Sequence, residues 1–351
     1  MHAKCINFSS LFLAMIEIDG SFGEGGGQIL RMSVALSALT KKPVKVFNIR
    51  ANRPNPGLRR QHMVALEAVA KICNARVNGL KIGSKVIEFF PGNLKGGEYE
   101  FDIGTAGSIT LVLQACLLPS LFAERETKLK LRGGTDVKWS PPWDYFQNVT
   151  LPLLEKMGAY VDSYLDRRGY YPVGGGRAEV IIEPCDEIDA IDFSGKVEKI
   201  FGIINIANLP NNIAERIKKS AEDELAKEGM KANIMIEETE AECAGVGIVL
   251  WTKPKILGAD SLGEKGKKAE DVGKEAANKL IEEIKTNVDV DERAVDQLLP
   301  YMAIANGETI FTCRKISKHA STEMWLIKKF LDVEFNIEKN EICKVRVIPK
   351  G

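Results

Sequence analysis

The sequence carries no surplus charge of either sign: 48 Lys and Arg stand against 48 Asp and Glu in 351 residues. No global field therefore draws the chain toward a polyanion, and any nucleic acid or nucleotide must be met by a local basic patch. Histidines number only 3, widely scattered, and no Cys-x-x-Cys pair occurs, which speaks against a protein-bound zinc or iron–sulfur centre. The 7 cysteines are odd in number and mostly flanked by apolar residues, the pattern of reduced thiols in a cytoplasmic protein rather than of a disulfide framework. No apolar run reaches the roughly 18 residues of a membrane span. Aromatics make up 7%, few for a plain RNA-binding module built on stacking surfaces.

What is present is a chain that is 45% hydrophobic and 27% charged, with 31 Gly and 14 Pro. That excludes disorder, collagen and coiled coil, and at about 150 residues per domain it predicts two or three domains. The first fourteen residues weakly imitate a signal sequence, but 11–16 is too short for an apolar signal core and runs into a strand-like 16–18. A start at Met15, with 1–14 as an extension of no function, is expected.

A unit recurs three times. In the first copy a glycine-rich turn, GSFGEGGGQ (20–28), opens the helix ILRMSVALSAL. A strand at 44–49, a Pro/Gly loop, a helix from Leu58 to Cys73 and strands near 76–77, 86–90 and 99–103 follow. The second copy starts at GTAGS (104–108), with a helix to Phe122, a strand at 128–132, the loop GGTDVKWSPP, a helix at 143–157 and strands at 159–165 and 178–182. The third comprises a helix at 292–305, a strand at 309–313, a helix at 319–331 and strands at 333–337 and 343–348.

The expected fold is therefore mixed α/β (α+β): three βαβαβ-type units packed with pseudo-threefold symmetry, each burying the face its neighbour exposes. Between the second and third copies, charged helical stretches at 213–228 and 264–285 alternate with strand-like 200–206, 233–237 and 247–251. This reads as a small inserted α/β domain, 186–288, within a repeat domain made of 15–185 and 289–351.

Chemistry has three candidate carriers. The GFGEGGGQ-like turn could bring backbone amides to phosphate, although Gln28 stands where a dinucleotide fingerprint has its third glycine, and a plain strand-to-helix turn explains it as well. Glu24 inside it would suit a divalent metal carried by a nucleotide. Residues 41–60 hold 7 basic residues and no acidic one, so Arg50, Arg53, Arg59 and Arg60, with Arg31, offer guanidinium forks for phosphate, or else a solvated basic loop. Of the histidines, His62 reads as a capping or core residue, whereas His319 opens the last helix and faces loops of the other units if the repeat symmetry holds.

Taken in order, IDGSFGEGGGQILR (18–31), IRANRPNPGLRRQH (49–62), GTAGSITLVLQ (104–114), GGTDVKWSPPWDYF (133–146), GYYPVGGG (169–176), VDQLLPYMAIA (295–305) and the block around His319 resemble the RNA 3′-terminal phosphate cyclase family. The resemblance spans nearly the whole chain from Ile16 onward. It implies a ligase-class enzyme that uses ATP to turn an RNA 3′-phosphate into a 2′,3′-cyclic phosphodiester, through AMP held covalently on a histidine and then an RNA(3′)pp(5′)A intermediate. His319 and Thr322 match the family's H-x-x-T-N motif, making His319 the nucleophile.

The resemblance further implies Glu24 as ligand to Mg or Mn, and Gln114, Pro141, Arg293, Asp296 and Gln297 around the nucleotide. Arg31, Arg50, Arg53 and Gln61 fall at phosphate and RNA-end positions. ATP and RNA 3′-phosphate ends are the expected partners, with no membrane and with homo-oligomer formation left open. Two residues depart from the family: Glu323 replaces Asn, placing a negative charge near the phosphates or else pointing outward, and Arg293 replaces an aromatic against adenine, where a guanidinium plane can also stack. The competing reading is a noncatalytic cyclase-like protein of ribosome assembly; His319, Glu24 and Arg31 favour the enzyme. An enolpyruvyl transferase, with a similar repeat, would have no use for His319.

Overall fold

The computed structural model describes residues 15–350, so the extension expected at 1–14 lies outside the described residues. Strand β1 (Ile16–Asp19) leads through the glycine turn into helix α1 (Gly27–Thr40) and strand β2 (Val44–Phe47), parallel to β1. Parallel neighbours need such a crossover, and α1 supplies it. Helix α2 (Arg60–Ile72) and strands β3 (Arg76–Asn78) and β4 (Ile87–Phe90) complete a sheet of order β1-β2-β4-β3, antiparallel beyond the first pair.

The second sheet repeats this wiring, and the strand expected to close the first unit at 99–103 opens it instead, because β5 (Gly97–Asp102) pairs in parallel with β6 (Thr127–Gly133). Helix α3 (Ile109–Leu121) joins them, and a helical stretch and strands β7 (Val161–Arg167) and β8 (Gly176–Ile182) follow, in the order β5-β6-β8-β7. That stretch consists of α4 (Trp143–Tyr145), a π-helical turn (Phe146–Thr150) and α5 (Leu151–Glu155), where a continuous helix to Met157 was expected. Pro152 has no N–H to offer the carbonyl four residues back, and the ladder widens just before it.

In the segment expected to be an insert, strands β9 (Val197–Ala207), β10 (Ala232–Glu238), β11 (Gly245–Pro254) and β12 (Gly258–Leu262) form a sheet of order β10-β9-β11-β12, accompanied by helices α6 (Asn212–Lys227) and α7 (Ala269–Lys285). Strand β12 is absent from the pattern reading because GADSL has no alternating apolar signal. The third unit has helix α8 (Glu292–Met302), strand β13 (Thr309–Cys313), helix α9 (Lys318–Phe330) and strands β14 (Val333–Lys339) and β15 (Cys343–Pro349), ordered β13-β15-β14. The place of its first strand is taken by 288–290, whose Asp289 and Val290 amides both donate to the Thr312 carbonyl.

Helix α3 is apolar on all sides and accordingly buried, packing against α1 and α2, while α1 also meets α9. One large hydrophobic core draws on all three units, and a second lies in the insert beneath α6 and α7. Between insert and second unit sits a buried ionic cluster: Arg168 pairs with Asp144 at 2.8 Å, Asp136 at 3.3 Å and Glu237 at 2.7 Å. Among the described residues, no helix is long and apolar enough to cross a membrane, and Cys73, Cys116, Cys185, Cys243, Cys313 and Cys343 are free thiols.

Candidate active site

The glycine turn after β1 is anchored at its start by Asp19, whose carboxylate accepts from the Ser21 amide at 2.9 Å and the Ser21 hydroxyl at 2.7 Å. Those two bonds hold the Asp19 carboxyl below its ordinary range. The turn then folds onto the start of α9. Gly23 adopts φ 58, and a Cβ there would stand 2.3 Å from Thr322 Oγ1. At Gly27, a Cβ would meet His62 Nε2 at 2.3 Å, so only glycine lets α1 begin beside that ring.

His319 sits in the first turn of α9, which Ser317 caps by accepting from the Ala320 amide at 3.0 Å. Its imidazole is half-exposed and held at both nitrogens. Nδ1 lies 2.7 Å from Gln28 Oε1, and Nε2 lies 2.9 Å from Glu24 Oε2. Arg53 Nη2 approaches the same Glu24 oxygen at 3.9 Å. The expected nucleophile, metal ligand and one of the expected phosphate-binding arginines are thus adjacent.

Beneath this layer lie a buried arginine and a half-buried aspartate. Arg31 Nη2 donates to Gln114 Oε1 at 3.2 Å, joining α1 to α3. Burial pulls the Arg31 pKa down to about 10, with Glu323 and Asp296 opposing, so it stays a cation at neutral pH. Asp296 accepts from Gln297 Nε2 at 3.1 Å, and desolvation raises its carboxyl above the ordinary range while His319, Arg293 and Arg31 pull it back. His62 accepts from the Arg59 amide at 3.2 Å; burial, with Arg31, Arg50 and Arg59 nearby, drives its pKa to about 3, so it is a neutral capping residue as expected.

Four expected site residues make other contacts. Arg50, at φ 54, donates Nη1 to the Asn55 carbonyl at 2.6 Å and the Gly57 carbonyl at 3.0 Å, stapling its own loop. Gln61 Oε1 accepts from the Ser108 amide at 2.9 Å, tying α2 to the start of α3. Pro141 is buried and its carbonyl accepts from Thr110 Oγ1 at 2.7 Å. Arg293 pairs with Asp260 of the insert at 2.8 Å and lies over the Tyr145 ring, 5.6 Å from its centroid.

Glu323 does not point outward. It is fully buried, and desolvation, reinforced by Asp296, raises its pKa well above the ordinary value. Its Oε2 accepts from Gln28 Nε2 at 2.7 Å. Gln28 is the residue sequence reasoning passed over. It was visible only as the glycine missing from a fingerprint, and its partners on α9 are distant in sequence.

The glycine turn after β1 and the start of α9 thus converge on one imidazole, which defines a mixed α/β protein with a histidine-centred candidate site. The chain belongs to the RNA 3′-terminal phosphate cyclase family, whose model matches residues 22–337. It is 50% identical over 347 residues to the RNA 3′-terminal phosphate cyclase of Ignicoccus hospitalis, covering 95% of this chain and 98% of that one. The proteins of the same name from Methanopyrus kandleri (46% identity, 97% of this chain and 100% of the relative) and Pyrococcus furiosus (47%, 95% and 99%) are similarly close. Among solved structures, the enolpyruvyl transferase NikO from Streptomyces tendae aligns at a TM-score of 0.39 and 10% identity, over 94% of this chain and 47% of that one, a likeness too slight to bear on fold or chemistry.

Proposed function

We propose that this chain converts RNA 3′-terminal phosphates to 2′,3′-cyclic phosphodiesters at the expense of ATP, with His319 as the nucleophile. The observation that carries the reading is the imidazole itself: half-exposed at a helix start, oriented by Gln28, and flanked by Glu24 and Arg53. A phosphate monoester is a poor electrophile, and its neighbouring 2′-OH cannot expel oxide, so activation must come first. His319 Nε2 attacks the α-phosphorus of ATP, the P–O bond to pyrophosphate breaks, and AMP remains on the ring. The RNA 3′-phosphate then attacks that phosphorus and takes the AMP, freeing the histidine. Finally the tethered 2′-OH attacks the activated 3′-phosphorus, losing its proton as AMP departs.

Arg31 and Arg53, with Gln61 and the Arg50-stapled loop, would hold phosphate oxygens; Gln114, Pro141, Asp296, Gln297 and Arg293 would border the nucleotide. Among the described residues no group of three or more His, Cys, Asp or Glu could enclose a metal by itself. A single carboxylate from Glu24 nevertheless fits Mg or Mn arriving on a nucleotide, since such ions take one or two carboxylates together with phosphates and water. When bound, the ion would offset phosphate charge during attack. The recurring strand order supports the three-unit, pseudo-threefold architecture, with 186–288 as a separate inserted domain.

The test is incubation with α-labelled ATP and Mg, followed by denaturing electrophoresis. Acid-labile label on the native chain and none on His319→Ala is the expected result. A folded native chain that binds ATP and takes no label would overturn the reading.

A further inference from the structure

We infer that Glu323 is a positioning residue for His319: acting through the Gln28 amide, it sets the imidazole as the tautomer protonated at Nδ1, leaving Nε2 with the lone pair. The inference deepens the nucleophile assignment and rests on it for its functional consequence, though its first observable does not.

An amide side chain has a donor end and an acceptor end, and reversing it costs little unless its neighbours discriminate. Around Gln28 they do. Nε2 faces two acceptors, Glu323 Oε2 at 2.7 Å and the His319 carbonyl at 3.3 Å. A backbone carbonyl accepts only, so the NH2 must lie on that side. Oε1 is then turned to His319 Nδ1 at 2.7 Å, and since Oε1 only accepts, Nδ1 carries a proton; Nε2, which faces the Glu24 carboxylate at 2.9 Å, is left with the lone pair when that carboxylate turns away from the ring. The shorter of the two discriminating contacts is the one Glu323 provides.

The bond to Gln28 is also the only hydrogen bond of the Glu323 side chain among the described residues, for its Oε1 is buried without a partner. A fully buried carboxyl retained for one contact is costly to the fold and calls for a reason. Without Glu323 the weaker carbonyl contact alone opposes reversal of the amide. A reversed Gln28 would present NH2 to Nδ1, move the proton to Nε2 and remove the nucleophile.

Glu24 competes for a proton at Nε2, so the tautomer is best read in a Glu24→Ala background, in full-length protein with 15N-labelled histidine, at a pH where the ring is neutral. With 3 histidines in the chain, the ring signals are assignable by substitution. The Nδ1–H tautomer is expected to dominate, to persist in Glu323→Gln, which keeps an acceptor, and to shift roughly tenfold toward Nε2–H in Glu323→Leu. With Glu24 intact, self-adenylylation should fall roughly tenfold in Glu323→Leu at unchanged ATP affinity and stay within about threefold of native in Glu323→Gln.

Should Glu323→Leu fail to fold, Glu323→Met, close in shape and without a carboxyl, takes its place. A predominantly Nε2–H ring with Glu323 present overturns the inference, whatever the variants do. So does a folded Glu323→Gln as impaired as Glu323→Leu. An Nδ1–H ring in a chain that never takes label would instead uphold the tautomer and sink the nucleophile reading.

Discussion

Phe22 stacks on Trp325 with ring centroids 3.9 Å apart and planes 15° from parallel, clamping the glycine turn to the helix that carries His319. Such a pair contributes about 0.5–1.5 kcal/mol beyond its buried area. Its larger effect is on geometry, since it sets how Glu24 meets the imidazole. Phe22→Ala should slow self-adenylylation by about tenfold while moving the melting temperature little, because small misplacements at a reacting centre are expensive. Single-turnover labelling beside a thermal melt checks this; equal native rates would show that the turn holds its place without the stack.

Gly23 and Thr322 lie so close that a side chain at position 23 has no room beside the Thr322 hydroxyl. Gly23→Ala combines a left-handed φ of 58 with a Cβ only 2.3 Å from Thr322 Oγ1. A loss of about 1–2 kcal/mol is expected from the backbone alone, with more from the clash. Adding Thr322→Ala should recover the clash part and leave the backbone part, a non-additivity that a double-mutant cycle in urea would read. Strict additivity would contradict the contact.

Arg168 balances three carboxylates between the insert and the second unit, and Asn205 adds bonds of 3.1 Å to both Asp136 and Asp144. Removing the cation strands buried charge, which typically costs about 3–5 kcal/mol. Arg168→Met should therefore destabilise strongly, as measured by denaturant midpoint, even though the site around His319 contains none of these groups.

Glu283, on α7, is buried with Oε2 unpartnered; desolvation, joined by Asp291 and opposed by Arg314, pushes its pKa from 4.5 up to about 7. A carboxyl with a raised folded-state pKa favours the native state below its unfolded value, and that advantage is lost as pH rises through the folded value. The native chain should thus lose stability between about pH 4.5 and 7, by at most about 3–4 kcal/mol from this group at about 1.4 kcal/mol per pH unit. Glu283→Gln should flatten that part of the profile and exceed the native chain in stability above pH 7. Parallel profiles would place the titration elsewhere.

Most helices and strands were legible in the sequence because period and punctuation are local, whereas the sheet that β5 joins was not, since pairing with β6 is a tertiary choice. Apolar spacing marked the helices, and glycine and proline marked their ends. The elements that escaped notice had no local signal: β12 lacks alternation, and the π-helical turn depends on which carbonyl Pro152 leaves unpaired. His319, Glu24 and Arg53 were legible through motif resemblance and do lie together. Arg293 was legible as a cation, but the choice of Asp260 over a solvent-facing position is made across the insert.

The sequence by itself marked most helices and strands, the glycine turn and the motif block around His319, since these depend on neighbours a few residues apart. Only the tertiary structure brought Gln28 and Glu323 together. Both are polar residues whose meaning depends on partners brought from far along the chain, and on burial. Packing α1 against α9 places one amide between a carboxyl and an imidazole, and removing water from the carboxyl raises its pKa. Desolvation and distance are properties of the assembled fold, so no pattern of neighbouring residues could have revealed them.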